Sequence, residues 1–123
     1  MTNNDPVFFV IDEEKPTRIA IRDGKTTHWV DQNAIDLVEA AGDYMCIHSD
    51  GQTHIVRATM KSLEELLDAE FMQRVHRGTI VNLRRVTATQ PHINGESFLE
   101  LESGHRVKVS RTYRGALKHL ESR

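Results

Sequence analysis

Residues 44–58 are YMCIHSDGQTHIVRA, two runs of β-type residues separated by an Asp-Gly pair. The run Tyr44–His48 precedes the pair, and the run Thr53–Ala58 follows it. Glycine adopts the positive φ that a two-residue hairpin turn requires, and Asp-Gly is typical of such turns. The stretch therefore predicts an antiparallel β-hairpin centred on Asp50-Gly51.

Three further glycines follow polar residues in turn-like pairs, Asp23-Gly24, Asn94-Gly95 and Ser103-Gly104. Short runs rich in β-type residues surround these pairs, which is the pattern of an all-β domain built from hairpins. With the hairpin above, about nine short strands are predicted. The remaining strands are expected at Val7–Ile11, Thr17–Arg22, Lys25–Val30, Ala34–Glu39, Val86–Thr89, Phe98–Leu101 and Arg106–Val109.

Two segments have the pattern of helices. Ser62 followed by Glu65 matches a capping box and predicts a short amphipathic helix through Leu63, Leu66 and Leu67. Ser110 is expected to cap a second helix that runs to about Leu120. The fold class predicted from these elements is mainly β, with one short internal helix and a C-terminal helix.

The predicted C-terminal helix has two different faces. Its apolar stripe is formed at helical spacing by Tyr113, Ala116, Leu117 and Leu120. Three cations, Arg111, Arg114 and Lys118, share another face. Arg111 falls in the first turn, where the helix dipole disfavours a positive charge. That face is either a solvated basic surface or one that meets an anion.

Length and composition indicate a single domain. The 123 residues include no apolar run of the roughly 20 residues that a membrane helix needs, so no membrane insertion is expected. The one cysteine, Cys46, lies within a strand pattern and is expected to be a buried, inert thiol. These features predict a cytoplasmic protein.

Charge is distributed unevenly along the chain. Residues 1–70 contain six basic and fourteen acidic side chains, whereas residues 71–123 contain ten basic and four acidic ones. A protein that approaches a polyanion needs one positive face and not a positive total charge. The second half therefore qualifies as a nucleic-acid-binding surface, although a solvated basic surface would have the same composition.

Common enzyme and metal motifs are absent from the sequence. It contains no phosphate-binding P-loop, no G-x-S-x-G elbow and no H-E-x-x-H, so no enzymatic activity and no cofactor are predicted. Of the seven histidines, His48 and His54 lie on either side of the predicted hairpin turn. In that register His48 opposes Thr53 and Ile47 opposes His54, so the two imidazoles point to opposite faces. No metal site is expected.

Residues 35–120 contain a series of motifs in a distinctive order. They begin with IDLVEAAGDY at 35–44 and continue with FMQRVHRGTIVN at 71–82 and GHRVKVSRTY at 104–113. In this order and spacing they closely resemble the LytTR family of bacterial DNA-binding domains. The resemblance implies an elongated fold of small packed antiparallel sheets. It also implies that loops, and not a recognition helix, enter successive major grooves of double-stranded DNA.

The resemblance assigns roles to particular positions. Base contacts are implied for the loop at Asp43 and Tyr44, for Arg77 and for Arg111. An arginine fork matches guanine O6 and N7, which suits the two arginines to that role. Phosphate contacts are expected from Lys108, Arg114, Lys118, His76, Gly78 and Asn82. His76 and Asn82 are expected to be mainly structural, fixing the loop that carries Arg77.

Two positions depart from the family pattern. Gly78 occupies a place where serine is frequent, which removes a hydroxyl that could contact phosphate. Asp43 occupies a place where asparagine is common. A carboxylate accepts from cytosine N4 but is repelled by phosphate, so Asp43 either alters specificity or turns away from DNA.

The expected organisation is a tail or extra strand in residues 1–16 and the DNA-binding domain in residues 17–123. Members of the family are commonly joined to a receiver domain, for which residues 1–16 are too few. The chain is thus either a free-standing transcription regulator or a part of a larger one. A monomer that binds repeated half-sites as two copies is expected. An acidic surface for a regulatory protein partner is offered by Asp12, Glu13, Glu14, Glu64, Glu65 and Glu70. The alternative function is a protein-interaction module that controls a partner without binding DNA.

Overall fold

The computed structural model of the chain describes residues 9–121 and contains three antiparallel sheets. The predicted mainly β fold class is confirmed. Val7 and Phe8 of the first predicted strand lie outside the described residues. The strands are β1 (Phe9–Asp12), β2 (Lys15–Asp23), β3 (Thr26–Asp31), β4 (Ile35–Ala41), β5 (Tyr44–Ser49), β6 (Gln52–Arg57), β7 (Met72–His76), β8 (Thr79–Asn82), β9 (Val86–Pro91), β10 (Ser97–Leu101) and β11 (Arg106–Val109).

A five-stranded central sheet in the order β6-β5-β4-β8-β7 lies between two three-stranded sheets. The first core joins β2, β3 and helix α1 (Met60–Leu66) to one face of the central sheet. The second core joins β10, β11 and the C-terminal segment to the other face. The central strand β4 contributes to both cores, Val38 to the first and Leu37 to the second. A bulge between Ile35 and Leu37 turns Ile35 to the same side as Val38.

The hairpin predicted from residues 44–58 is confirmed in its register. Asp50 and Gly51 have φ angles of 48° and 82°, as a type I′ turn requires. Ser49 pairs with Gln52, and the pairs that follow continue as predicted. Cys46 is half-buried and not buried, because its face of β5 and β6 is left open at this point. Its cross-strand neighbour Ile55 keeps 62% of its surface exposed.

The N-terminal sheet packs on the central one. β1 pairs with β2, and Ile11 lies against the first core beside the buried Ile19 and Ile21. β1 is therefore an edge strand of the N-terminal sheet. The domain boundary at residue 17 stays a prediction.

The internal helix begins earlier than predicted. Thr59, and not Ser62, is the N-cap: its hydroxyl accepts from the Ser62 amide at 3.0 Å. The Ser62 hydroxyl completes the capping box with the Thr59 amide at 3.3 Å. Ser62 and Glu65 therefore both lie inside the helix. A serine can be the third residue of a capping box as well as its N-cap, so the serine did not identify where the helix begins.

The C-terminal helix is different from the predicted one. Arg111–Leu117 is a 3₁₀ helix, and only Lys118–Glu121 (α2) is α-helical. Ser110 precedes it without a side-chain capping bond, while the Tyr113 amide bonds the Ser110 carbonyl at 2.9 Å. Thr112, Tyr113 and Gly115 are weak α-helix formers, which favours the tighter, shorter form here.

The hairpin formed by β7 and β8 has no counterpart among the predicted strands. Its turn residues, Arg77-Gly78, lack the Asn-Gly or Asp-Gly pattern, and Gln73 and Arg74 interrupt the apolar run of β7. Within residues 9–121, no helix has the length and apolar character needed to cross a membrane.

Candidate nucleic-acid interface

Two turns lie side by side at one end of the central sheet. Gly42-Asp43 joins β4 to β5, and Arg77-Gly78 joins β7 to β8. β4 pairs antiparallel with β8, so the end of one strand meets the start of the other. The Ala40 amide donates to the Gly78 carbonyl oxygen at 2.9 Å and holds the two turns together.

The β4–β5 turn presents polar groups to solvent. Gly42 has a φ of 63°, which allows the chain to reverse within two residues. Asp43 is exposed, and its carboxylate has no hydrogen-bond or ion-pair partner in the part of the chain that the structure describes. Tyr44 keeps 47% of its surface exposed. Both side chains are accessible to a macromolecule at this end of the sheet.

The β7–β8 turn presents Arg77. Its side chain is exposed, and within residues 9–121 its guanidinium has no ion-pair partner. The Gly78 amide donates to His76 Nδ1 at 3.3 Å, so the half-buried imidazole stabilises the turn that carries Arg77. A bulge between Arg74 and His76 changes the direction of the strand just before the turn.

Gly78 is not required by the backbone. It does not adopt the left-handed φ of the other turn glycines, and a Cβ built there would be 3.6 Å from the Ala40 Cβ. That is an ordinary van der Waals distance. A serine would fit at this position, so the fold does not cause the departure from the family pattern.

The segment that carries Arg111 is tied to the strand that carries Arg77. The Ser110 amide donates to the Val75 carbonyl oxygen at 2.9 Å. Val75 is buried in the second core, two residues before Arg77. The backbone just before Arg111 therefore has a fixed attachment to β7.

The three cations of the C-terminal segment line one cleft of about 670 Å³, which the turn between β9 and β10 closes on the other side. A Cβ on Gly95 would lie 3.2 Å from Arg111 Cγ and 3.2 Å from Arg114 Nη1, so both side chains pack on bare backbone. Neither arginine has an ion-pair partner among the described residues. Lys118 lies at the same cleft.

Lys108 is near this region but is already paired. Its ammonium lies 3.1 Å from a Glu96 carboxylate oxygen, and its side chain is 46% exposed. It also borders a smaller cleft of about 190 Å³ together with His76. A phosphate contact by Lys108 would therefore compete with Glu96.

The assignment of Asn82 to phosphate is wrong. Asn82 is 0% exposed and lies at the end of β8 away from Arg77. Its Nδ2 donates to the Ile35 carbonyl at 2.9 Å, and its Oδ1 accepts from the Arg84 amide at 2.9 Å. Asn82 therefore fixes the start of β4 and not the turn that carries Arg77.

Arg74 was not among the predicted site residues. Its Nη2 donates to the Arg77 carbonyl oxygen, its Nη1 lies 3.3 Å from Glu64 Oε1, and its Cζ is 5.5 Å from the centroid of the Tyr113 ring. The only signal in the sequence was its place in the family motif FMQRVHRG, because its partners are distant along the chain.

Two pairs of histidines lie on opposite faces of the β5–β6 hairpin. His48 bonds Glu39 at 2.9 Å and its ring centroid is 5.0 Å from that of His105, whereas His54 lies 5.0 Å from His28. Burial, with the neighbouring His28 as a second cause, lowers the pKa of His54. Within residues 9–121 no group of three or more metal-ligating side chains converges.

The chain is similar to known proteins over most of its length. The family model described as the LytTr DNA-binding domain matches residues 25–121. The Sensory transduction protein LytT of Bacillus anthracis is 38% identical over 69 residues, which are 56% of this chain and 28% of that protein. LytT of Bacillus subtilis is 29% identical over 104 residues, 84% of this chain and 43% of that protein. The chain thus matches less than half the length of either relative.

The fold has also been seen in a solved structure. It is the LytTr DNA-binding domain of a Bacillus cereus protein described as a methyl-accepting/DNA response regulator. The TM-score is 0.75 at 23% identity, and the match covers 85% of this chain and 96% of that one. At this identity the likeness concerns the fold alone.

Proposed function

The chain belongs to the LytTr DNA-binding domain family, a family of DNA-binding domains and not of enzymes, and we propose that it recognises a specific double-stranded DNA sequence as a transcription regulator. The observation that carries the proposal is the pair of joined turns with an unpaired Arg77 at the end of the central sheet. The attachment of the Arg111 segment to the same strand supports it.

The dimensions of the two turns suit a major groove. Neighbouring strands lie about 4.8 Å apart, so each turn is about 5 Å across and the centres of the two turns lie roughly 10 Å apart along the end of the sheet. The major groove of B-DNA is about 12 Å wide, so a turn of this size can enter it. In this arrangement Arg77 reads a base edge, and Asp43 and Tyr44 contact neighbouring bases from the adjacent turn. Arg111 reads a second position, reached from the C-terminal segment.

Phosphate contacts surround these positions. Arg114 and Lys118 share the cleft of Arg111, and Lys108 lies on the adjoining strand. Such contacts position a protein on DNA without specifying sequence. His76 acts mainly by holding the Arg77 turn, and Gly78 allows the backbone to approach the DNA closely. No cofactor or metal takes part in this proposal.

The free protein is proposed to be monomeric and to bind repeated half-sites as two copies. Within residues 9–121, the largest exposed apolar side chains, Trp29, Tyr44, Ile55 and Ile93, are distributed over four different strands and turns. A stable dimer usually buries about 800 Å² on each partner. A regulatory protein partner is proposed to use the acidic half of the chain.

Selection of bound fragments from random duplex DNA tests the function. We expect enrichment of one motif, bound far more tightly than a scrambled duplex of the same length and composition. A protein-interaction module would give no enriched motif and equal, weak binding to both duplexes. That result would contradict the proposal.

A further inference from the structure

Arg74 is a half-buried cation that connects three separate elements. It lies on β7, and its side chain keeps 21% of its surface exposed. Its guanidinium bonds the Arg77 carbonyl in the β7–β8 turn and pairs with Glu64 on α1. The same group lies over the ring of Tyr113 in the 3₁₀ segment, with Cζ 5.5 Å from the ring centroid. One side chain thus contacts both segments proposed to read bases.

This arrangement is unfavourable unless something offsets its cost. Arg74 Nε is buried and has no hydrogen-bond partner within residues 9–121. A buried donor without a partner costs free energy, which the bond to the Arg77 carbonyl, the pairing with Glu64 and the contact with Tyr113 have to offset. An apolar side chain of similar length would cover Tyr113 without that cost.

The contacts of Arg74 fix a geometric relation. Arg77 and Tyr113 belong to elements separated by more than thirty residues, and Tyr113 is two residues after Arg111. The guanidinium is planar and rigid, so bonding one segment and stacking on the other sets their relative placement. Base readout needs side chains held closely in place, because a misplaced fork loses its bidentate bond.

We propose that Arg74 is a positioning residue for DNA recognition, which sets the separation between Arg77 and Arg111 without itself touching a base. The inference rests on the proposed function. It predicts that loss of Arg74 relaxes preference at two base pairs together, whereas loss of Arg77 or Arg111 relaxes only one.

Arg84 provides a matched control for the loss of an arginine. Its guanidinium also stacks on an aromatic ring, 4.1 Å from the centroid of Phe71, and bonds Asn33 Oδ1 at 2.6 Å. It follows β8 at the end of the central sheet away from the Arg77 turn. Arg84→Met therefore removes the same charge, a ring contact and a hydrogen bond at a distance from the proposed interface.

The experiment is a titration of each protein against four duplexes: the selected site, a site changed at the base pair read by Arg77, a site changed at that read by Arg111, and a scrambled sequence. For Arg74→Met we expect roughly tenfold weaker binding to the selected site and less than twofold on the scrambled duplex. Discrimination against both single-base changes should fall together. Arg84→Met should keep both discriminations.

A conservative variant separates positioning from charge and from folding. Arg74→Lys keeps the cation and its pairing with Glu64, but it cannot also stack on Tyr113 as a planar group and bond the Arg77 carbonyl. We expect it to fold and to show the same coupled loss, which also covers the case in which Arg74→Met does not fold. Recovery of both discriminations by lysine would overturn the inference, because charge alone would then suffice.

The wild-type arm separates this inference from the proposed function. If the wild type shows no preference among the duplexes, the proposed function fails and the inference fails with it. If the wild type discriminates and the Arg74 variants discriminate equally well, only the inference is overturned. Equal weakening on the scrambled duplex would also overturn it, since that is the behaviour of a phosphate contact.

Discussion

Arg111 and Lys118 are two cations at the same cleft that are expected to affect DNA binding differently. Arg111 directly follows the attachment of Ser110 to β7, whereas Lys118 lies beyond a 3₁₀ helix that rises about 2 Å per residue. The two positions are therefore roughly 14 Å apart along the axis, further than the roughly 10 Å of an α-helix. If Arg111 contacts a base edge, this distance leaves Lys118 able to contact only the phosphate backbone of the DNA.

Alanine variants of these cations test that difference. Arg111→Ala should cost about 1–3 kcal/mol on the selected site and much less on scrambled DNA. Lys118→Ala should weaken both DNAs alike and reduce the salt slope by about one. Paired titrations measure both effects, and Arg77→Ala should relax a different base pair from Arg111→Ala. Equal weakening of both DNAs by Arg111→Ala would make Arg111 a phosphate contact.

At the scale of elements, a titratable contact joins the N-terminal sheet to the central one. His28 on β3 and His54 on β6 have ring centroids 5.0 Å apart. Burial and the nearby His28 lower the pKa of His54, and Asp23 opposes this in part. The folded state therefore favours neutral His54. Below the unfolded pKa of about 6.5 the unfolded chain binds more protons, so this contribution to stability is present above pH 6.5 and is lost as the pH falls.

The expected result is a selective change in the pH dependence of unfolding. Between pH 7.5 and pH 5 the free energy of unfolding of the wild type should fall more than that of His54→Gln, measured in urea at fixed ionic strength. His28→Gln should show an intermediate dependence, because burial would still lower the pKa of His54. An equal fall for the wild type and His54→Gln would show that the pair is not responsible.

Elements with local causes could be predicted from the sequence, and those with distant causes could not. The hairpin at Asp50-Gly51 was predicted to the residue because its turn and its alternation lie within fifteen residues. β7 and β8 were missed because both faces of β7 are buried, with Met72 in the first core and Val75 in the second. The strand therefore has no regular alternation of apolar and polar residues. For Arg111–Leu117, the weak helix formers were a local signal for the 3₁₀ form, whereas the bond from Ser110 to β7 that fixes the place of the segment is not visible in the sequence.

At the scale of the molecule, candidate site residues could be named from the sequence, but their arrangement could not. Arg77 and Arg111 came from the family resemblance, and both are exposed. The joining of the β4–β5 and β7–β8 turns depends on a strand order that no local pattern contains. Some acidic residues suggested as a partner surface are engaged within the chain: Asp12 with Arg18, and Glu64 with Arg74.

The distribution of charge over the whole molecule predicts how DNA binding responds to salt. Ten basic and four acidic side chains fall in residues 71–123, and about six phosphate contacts would give a slope of log K against log [salt] of roughly −5. A Glu96 carboxylate oxygen lies 3.1 Å from the Lys108 ammonium and should reduce the contribution of this lysine to DNA binding. Glu96→Gln is therefore expected to bind scrambled DNA more tightly and to make the slope more negative by about one. Glu102→Gln, an exposed acid between β10 and β11, is the control and should change the slope less. Titrations from low to moderate salt measure the slope for all three proteins.

A wild-type slope near zero would contradict an electrostatic contribution from residues 71–123. Equal slopes for the wild type and Glu96→Gln would show that Lys108 does not contact phosphate.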